Sequence, residues 1–159
     1  TRRLSSAASD VYKRQGMCIG QALDIEAENR SVTLEELEEV HRNKTGALMK
    51  SAIRLGALAA GEKAFEVMPQ LDKYADAIGL AFQVQDDILD IISDTETLGK
   101  PQGSDQDLNK STYPSLLGLE GAQEKAQTLL QEALQALAAI PYNTQLLEEF
   151  ARYVIERKN

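Results

Sequence analysis

Hydrophobic and polar positions along this chain repeat with the period of helices, and no stretch alternates with the period of a strand. Apolar character begins at Gly16. Residues 1–15 (TRRLSSAASDVYKRQ) are polar without sustained amphipathic spacing, and are expected to stand apart from one helical domain over 16–159. Met17, Ile19, Ala22, Leu23 and Ile25 predict a short helix to about Glu26, with a turn over Asn29 to Val32. Thr33-Leu-Glu-Glu36 has the spacing of a capping box. It opens a long helix whose apolar stripe, Leu34, Leu37, Val40, Leu48, Ala52 and Leu55, runs to about Ala60, with Gly61 as the stop. Pro69 fits the start of the next helix, expected to end near Ile92. From Asp94 to Pro114 periodicity is lost, and about 20 residues is long for a connection inside a domain. A short helix over Pro114 to Leu119, an amphipathic one over Gly121 to Ala139 and a last one over Asn143 to Arg157 follow, Pro141 separating the final two. The expected fold class is all-α.

The stretch Gln83-Val-Gln-Asp86-Asp87-Ile-Leu-Asp90 departs from simple amphipathicity. At about 100° per residue, Asp86, Asp87 and Asp90 lie at about −60°, +40° and −20° from Gln83, so all four share one narrow stripe. Ile78, Leu80, Phe82, Val84, Ile88, Leu89 and Ile91 occupy the rest of the circumference. A helix apolar on most sides is normally buried, and buried carboxylates require cations or hydrogen-bond donors. The stripe therefore reads as the wall of a cavity that holds positive charge. Three carboxylates within a turn and a half suit a hard cation, above all Mg²⁺, which binds one or two carboxylates, water and phosphate oxygens. Asp86, Asp87 and Asp90 are the candidate metal ligands.

Composition narrows the partners. The chain of 159 residues carries a formal charge of −8, which disfavours nucleic acid and anionic membrane surfaces. No apolar run approaches a membrane span, and no signal-peptide core is present. Cys18 stands alone, so no internal disulfide forms, and a cytoplasmic location is expected. His41 is the sole histidine, which argues against zinc–histidine sites and Glu-x-x-His di-iron bundles. Lys44, within about 20° of Leu37 on its helix, is expected either to snorkel outward or to aim its amine at the aspartates. Thr45 follows it with a hydroxyl. Lys100 and Lys110 sit in the polar loop, Lys100 between Gly99 and Gly103, which permit close approach to a ligand. Lysines facing metal-loaded carboxylates suit a diphosphate. Glu35, Glu36, Glu38, Glu39, Asp105 and Asp107 read as solvated, leaving no obvious second group of metal ligands.

FQVQDDILD, followed by TLGK, G-x-D and K-S-T-Y-P and preceded by H-R-N-K-T-G-A-L, strongly resembles the C-terminal half of bacterial trans-prenyltransferases, the polyprenyl synthetases, and among them those that make farnesyl diphosphate. The resemblance runs from about Gly16 to the end. It implies an all-α bundle of the isoprenoid synthase type around a deep cavity, usually in a homodimer. Two facing aspartate-rich motifs there bind Mg²⁺ around an allylic diphosphate, which is condensed with isopentenyl diphosphate. By position, Asp86, Asp87 and Asp90 would form the second motif, with Asp86 coordinating directly. Lys44 and Lys100 would hold the allylic diphosphate, Thr45 and Gln83 would line the reacting end, and Lys110 would lie near the closing segment. The first aspartate-rich motif and the Gly-Lys-x-x-Arg segment that binds isopentenyl diphosphate have no counterpart in this chain. Cys18-Ile-Gly-Gln21 also lacks the family's glycine immediately before Gly-Gln.

The chain by itself is therefore expected to lack synthase activity. The alternative class is an all-α binding module without turnover. Terpene cyclase chemistry is disfavoured by the K-T and K-S-T-Y-P segments.

Overall fold

Helix follows helix throughout the residues that this computed structural model describes, namely 16–27, 30–98 and 111–157, with side chains described only to 92 in the second stretch. Among them the order is α1 (Cys18–Ala27), α2 (Leu34–His41), a π-helical segment (Arg42–Gly46), α3 (Ala47–Ala59), α4 (Lys63–Leu98), α5 (Tyr113–Ala138) and α6 (Gln145–Glu156). The expected all-α class holds.

The capping box at Thr33 forms as its spacing requires. Thr33 Oγ1 accepts from the Glu36 amide at 3.2 Å, and Glu36 Oε2 accepts from the Thr33 amide at 2.8 Å. The long helix that it opens is not uniform. At Arg42–Gly46 the turn widens to the π form, and the Asn43 side chain donates to the Glu39 carbonyl at 2.9 Å. A π segment holds one extra residue per turn, so everything after it is rotated by about 100°. Hence Leu37 and Val40 are buried as expected, while Leu48 and Ala52 turn outward and Leu55 is only half-buried. Met49, Ile53 and Ala57, each one or two positions further along, face the core instead. The expected stripe was correct up to the widening and out of phase beyond it. Gly61, at φ +96°, ends this section of chain in a conformation that favours glycine.

α4 begins at Lys63, earlier than Pro69 suggested, and Pro69 lies inside it. The proline leaves the Phe65 carbonyl without its usual partner, but both residues are exposed, so water can supply it. At the other end α4 continues to Leu98, past Ile92. Between these limits it is buried almost all round: Tyr74, Ala75, Ile78, Leu80, Ala81 and Val84 are at most 1% exposed. Against it packs α5, with Ala122, Ala126, Leu129, Ala133 and Leu137 in the seam. The alanines allow close approach, and the branched residues supply about 1.5–3 kcal/mol each on burial.

α5 opens with a second reciprocal cap, between Thr112 and Ser115. The two expected helices here are one element kinked at Gly118, whose φ of +74° only glycine adopts without strain. α6 lays Ala151, Val154 and Ile155 on the core and turns Leu146, Phe150 and Tyr153 to solvent. The Tyr74 hydroxyl fixes α4 to α6 by donating to the Leu147 carbonyl at 2.9 Å.

Candidate active site

The π segment lies between two helices at very short range. A Cβ on Gly20 of α1 would fall 2.3 Å from the Lys44 amide nitrogen, and one on Gly79 of α4 would fall 3.0 Å from the Gly46 Cα. Glycine at both positions lets the Lys44–Thr45 backbone sit between α1 and α4. The consequence is a hydrogen-bonded series across the bundle. Thr45 Oγ1 donates to Gln83 Oε1 at 2.7 Å, Gln83 Nε2 donates to Asp86 Oδ2 at 3.3 Å, and Arg157 Nη2 donates to Asp86 Oδ1. Three of the residues singled out from the sequence, Thr45, Gln83 and Asp86, are thus brought together at the crossing of the π segment and α4.

The remaining candidates are placed differently. Lys44 Nζ is held by Asp24 of α1, their side chains 32% and 19% exposed. Asp87 Oδ2 accepts from the Tyr113 amide at 2.9 Å, at the first turn of α5, where a negative charge is favoured by the helix dipole. Asp90 is exposed. Lys100, Lys110, Asp105 and Asp107 lie outside the described residues.

Asp86, Asp87 and Asp90 offer the hard oxygen donors that Mg²⁺ prefers, so in chemistry the set fits. In arrangement it is not a closed cage: among the described residues no group of three His, Cys, Asp or Glu converges on one point. Asp72 and Asp76, two further acids of α4, are engaged with α3. Arg54 forks onto Asp72 through Nε and Nη2, and Lys50 Nζ reaches both oxygens of Asp76 at 2.9 and 2.7 Å. These pairs clasp the two helices.

Glu38, expected to be solvated, is half-buried between Lys125 of α5 at 2.7 Å and Arg42 at 3.2 Å. Burial pushes its pKa up, but the hydrogen bonds from Lys125 and Arg42 outweigh burial and hold the carboxyl below the usual range. Beside it the imidazole of His41 stacks on Tyr113, ring centroids 5.6 Å apart. Tyr113 is fully buried, and its hydroxyl has no hydrogen-bond partner among the described residues. Burial, followed by the charges of Glu38 and Asp87, drives its pKa far upward. A groove of about 570 Å³ between α4 and α5, walled by Gln70, Lys73, Asp76, Glu132 and Gln135, includes none of the stripe residues. It is separate from the site described here.

Sequence reasoning missed Arg157, Gln85, Asp24 and Tyr113. Gln85 is buried and donates to the Arg157 carbonyl at 3.4 Å. The Arg157 guanidinium lies 4.4 Å from the centroid of the Phe82 ring. No local signal marks Arg157, because its partners are more than 70 residues away in sequence. Gln85 alone carried one, as an amide within an apolar run.

Residues 3–150 match the protein-family model described as "Polyprenyl synthetase". The chain is 58% identical over 145 residues to the farnesyl diphosphate synthase of Escherichia coli (strain K12), covering 89% of this chain and 48% of that protein. It is 45% identical over 152 residues to the farnesyl diphosphate synthase of Geobacillus stearothermophilus, covering 91% and 50%. Among solved structures, a geranyltransferase from Helicobacter pylori complexed with magnesium and isoprenyl diphosphate superposes with a TM-score of 0.70 at 38% identity, covering 88% of this chain and 46% of that one. The chain spans about half the length of the relatives it matches.

Proposed function

Since this chain belongs to the polyprenyl synthetase family, we propose that it is part of a short-chain trans-prenyl diphosphate synthase that joins an allylic diphosphate to isopentenyl diphosphate, giving farnesyl diphosphate. The observation that carries this reading is the series Thr45–Gln83–Asp86, which ties a hydroxyl, a carboxamide and a carboxylate into one polar line inside an apolar bundle. The farnesyl product is favoured by the relatives of 58% and 45% identity, both farnesyl diphosphate synthases.

In this proposal Asp86, with Asp87 and Asp90, would hold Mg²⁺, and Lys44, Lys100 and Lys110 would hold diphosphate oxygens. When bound, the metal neutralises the charge that builds on the departing diphosphate. Thr45 fixes the Gln83 carboxamide, so that its dipole is preorganised rather than free to rotate while the allylic carbon becomes electron-poor. The allylic C–O bond breaks with its electron pair leaving on the diphosphate. The isopentenyl double bond supplies the pair for the new carbon–carbon bond, and a proton leaves. A cytoplasmic homodimer of the longer protein belongs to the same proposal. The second reading, a binding module without turnover, applies to the 159 residues alone, because no first aspartate-rich motif occurs in them.

Complementation tests both readings. The chain incubated with Mg²⁺, geranyl diphosphate and isopentenyl diphosphate is expected to give no C15 product. Co-expressed with the N-terminal half of the Escherichia coli relative, it is expected to give C15 product that is lost when Asp86→Ala is introduced. C15 formation by the chain alone at the rate of an intact synthase refutes the incomplete-site reading. A complemented complex that makes no prenyl diphosphate refutes the synthase reading.

A further inference from the structure

We infer that Arg157 is a further residue of the cation site: its guanidinium neutralises Asp86, and a divalent cation bound by Asp86 displaces it. The inference rests on the proposed metal role of Asp86. Three contacts set Arg157 across a single face of α4. Its Nη2 donates to Asp86 Oδ1, its guanidinium stacks on Phe82, and its carbonyl accepts from Gln85. Phe82, Gln85 and Asp86 are spaced i, i+3, i+4, as one helix face requires.

The contact differs from the structural arginine pair in the same molecule. Arg54 uses Nε and Nη2 as a fork on both oxygens of Asp72, the geometry that holds a carboxylate most firmly. Arg157 meets Asp86 through one nitrogen, and its buried Nε has no hydrogen-bond partner among the described residues. Asp86 remains 38% exposed beside it, so the carboxylate is open to an incoming cation while the arginine, at 15%, is not free in solvent. A guanidinium and a divalent cation cannot both sit against the same oxygen without repelling each other. The arginine therefore neutralises and orders the carboxylate, and gives up its place against Asp86 and Phe82 when metal arrives. α6, which ends at Glu156, is the element that has to adjust.

Mn²⁺ binding to the full 159-residue chain, followed by electron paramagnetic resonance, tests this, with Asp86→Asn identifying the Asp86-dependent component. Arg157→Gln is expected to tighten that component about threefold to fivefold, as for removal of a partly exposed competing ion pair. Arg152→Gln, on the exposed face of the same helix, is expected to leave it unchanged, which separates displacement from a general loss of positive charge. Phe82→Leu, which keeps both charges, is expected to tighten it to a smaller degree and serves if the arginine variant does not fold. Hydrogen exchange at the amides of 154–157 is expected to rise when Mn²⁺ binds the unaltered chain. Asp86-dependent binding that is indifferent to Arg157→Gln and leaves this exchange unmoved overturns the inference while the metal reading stands. Absence of any Asp86-dependent binding overturns both.

Discussion

The side chains of the site act through partners that are remote in sequence, and this sets what a substitution does. Thr45 and Gln83 are joined by one 2.7 Å hydrogen bond in a half-buried setting. Thr45→Val is expected to destabilise the chain by about 1 kcal/mol, because Gln83 Oε1 is left without its donor; urea unfolding reads this directly. Glu38 makes a prediction about acid. Its pKa is lowered in the fold, so its contribution is present above the unfolded value of about 4.3 and disappears as pH falls through the lower folded value. Melting temperature measured from pH 6 to pH 3 is therefore expected to fall more steeply for the parent than for Glu38→Gln. The acid expected to be solvated proves to be a link between α2 and α5, because Lys125 reaches it from 87 residues away in sequence. Its place on the outer part of α2 said nothing of a helix that docks beside it.

At the scale of elements, the short π segment governs the arrangement. It turns Leu48 and Ala52 out and Met49 and Ile53 in, and it delivers the Thr45 hydroxyl to Gln83. Its docking depends on missing side chains. Gly20→Ala would set a methyl carbon 2.3–2.7 Å from the backbone of Asn43 and Lys44, and no flexible group is there to yield. We expect a loss of about 1–3 kcal/mol, the range for overpacking, together with increased hydrogen exchange across α1. Gly56→Ala in α3 is the control: nothing lies within 4 Å of the added carbon, and alanine in a helix interior is expected to stabilise by about 0.4–1 kcal/mol. Thermal melts of the two variants should therefore move in opposite directions. The caps at Thr33 and the stop at Gly61 were readable from the sequence because both are local contracts between neighbouring residues. The widening at Arg42–Gly46 was not, since it depends on what packs against both sides of it.

Across the whole molecule, α4 is the axis, covered by α5, α6 and the α2–α3 arm, and two phenols report on its integrity. Burial raises Tyr74 to about 12 and Tyr113 further. A raised folded pKa means that stability is complete below the unfolded value of about 10 and is lost as pH climbs through the folded one. Absorbance at 295 nm is expected to show the phenolates of Tyr74 and Tyr113 appearing only with cooperative unfolding above pH 10. The sequence by itself determined the helical class, the run of helices, the placement of Gln83 and the three aspartates on one stripe, and the family motifs, because each depends on spacing within a few turns. It also implied a cation for that stripe, since carboxylates on a buried helix cannot stand unneutralised. Only the tertiary structure decided which cations and donors meet which carboxylate: Arg157 on Asp86, the α5 amide of Tyr113 on Asp87, and Asp24 on Lys44. Those pairings join groups 20 to 71 residues apart, and periodicity along one helix carries no information about what crosses it.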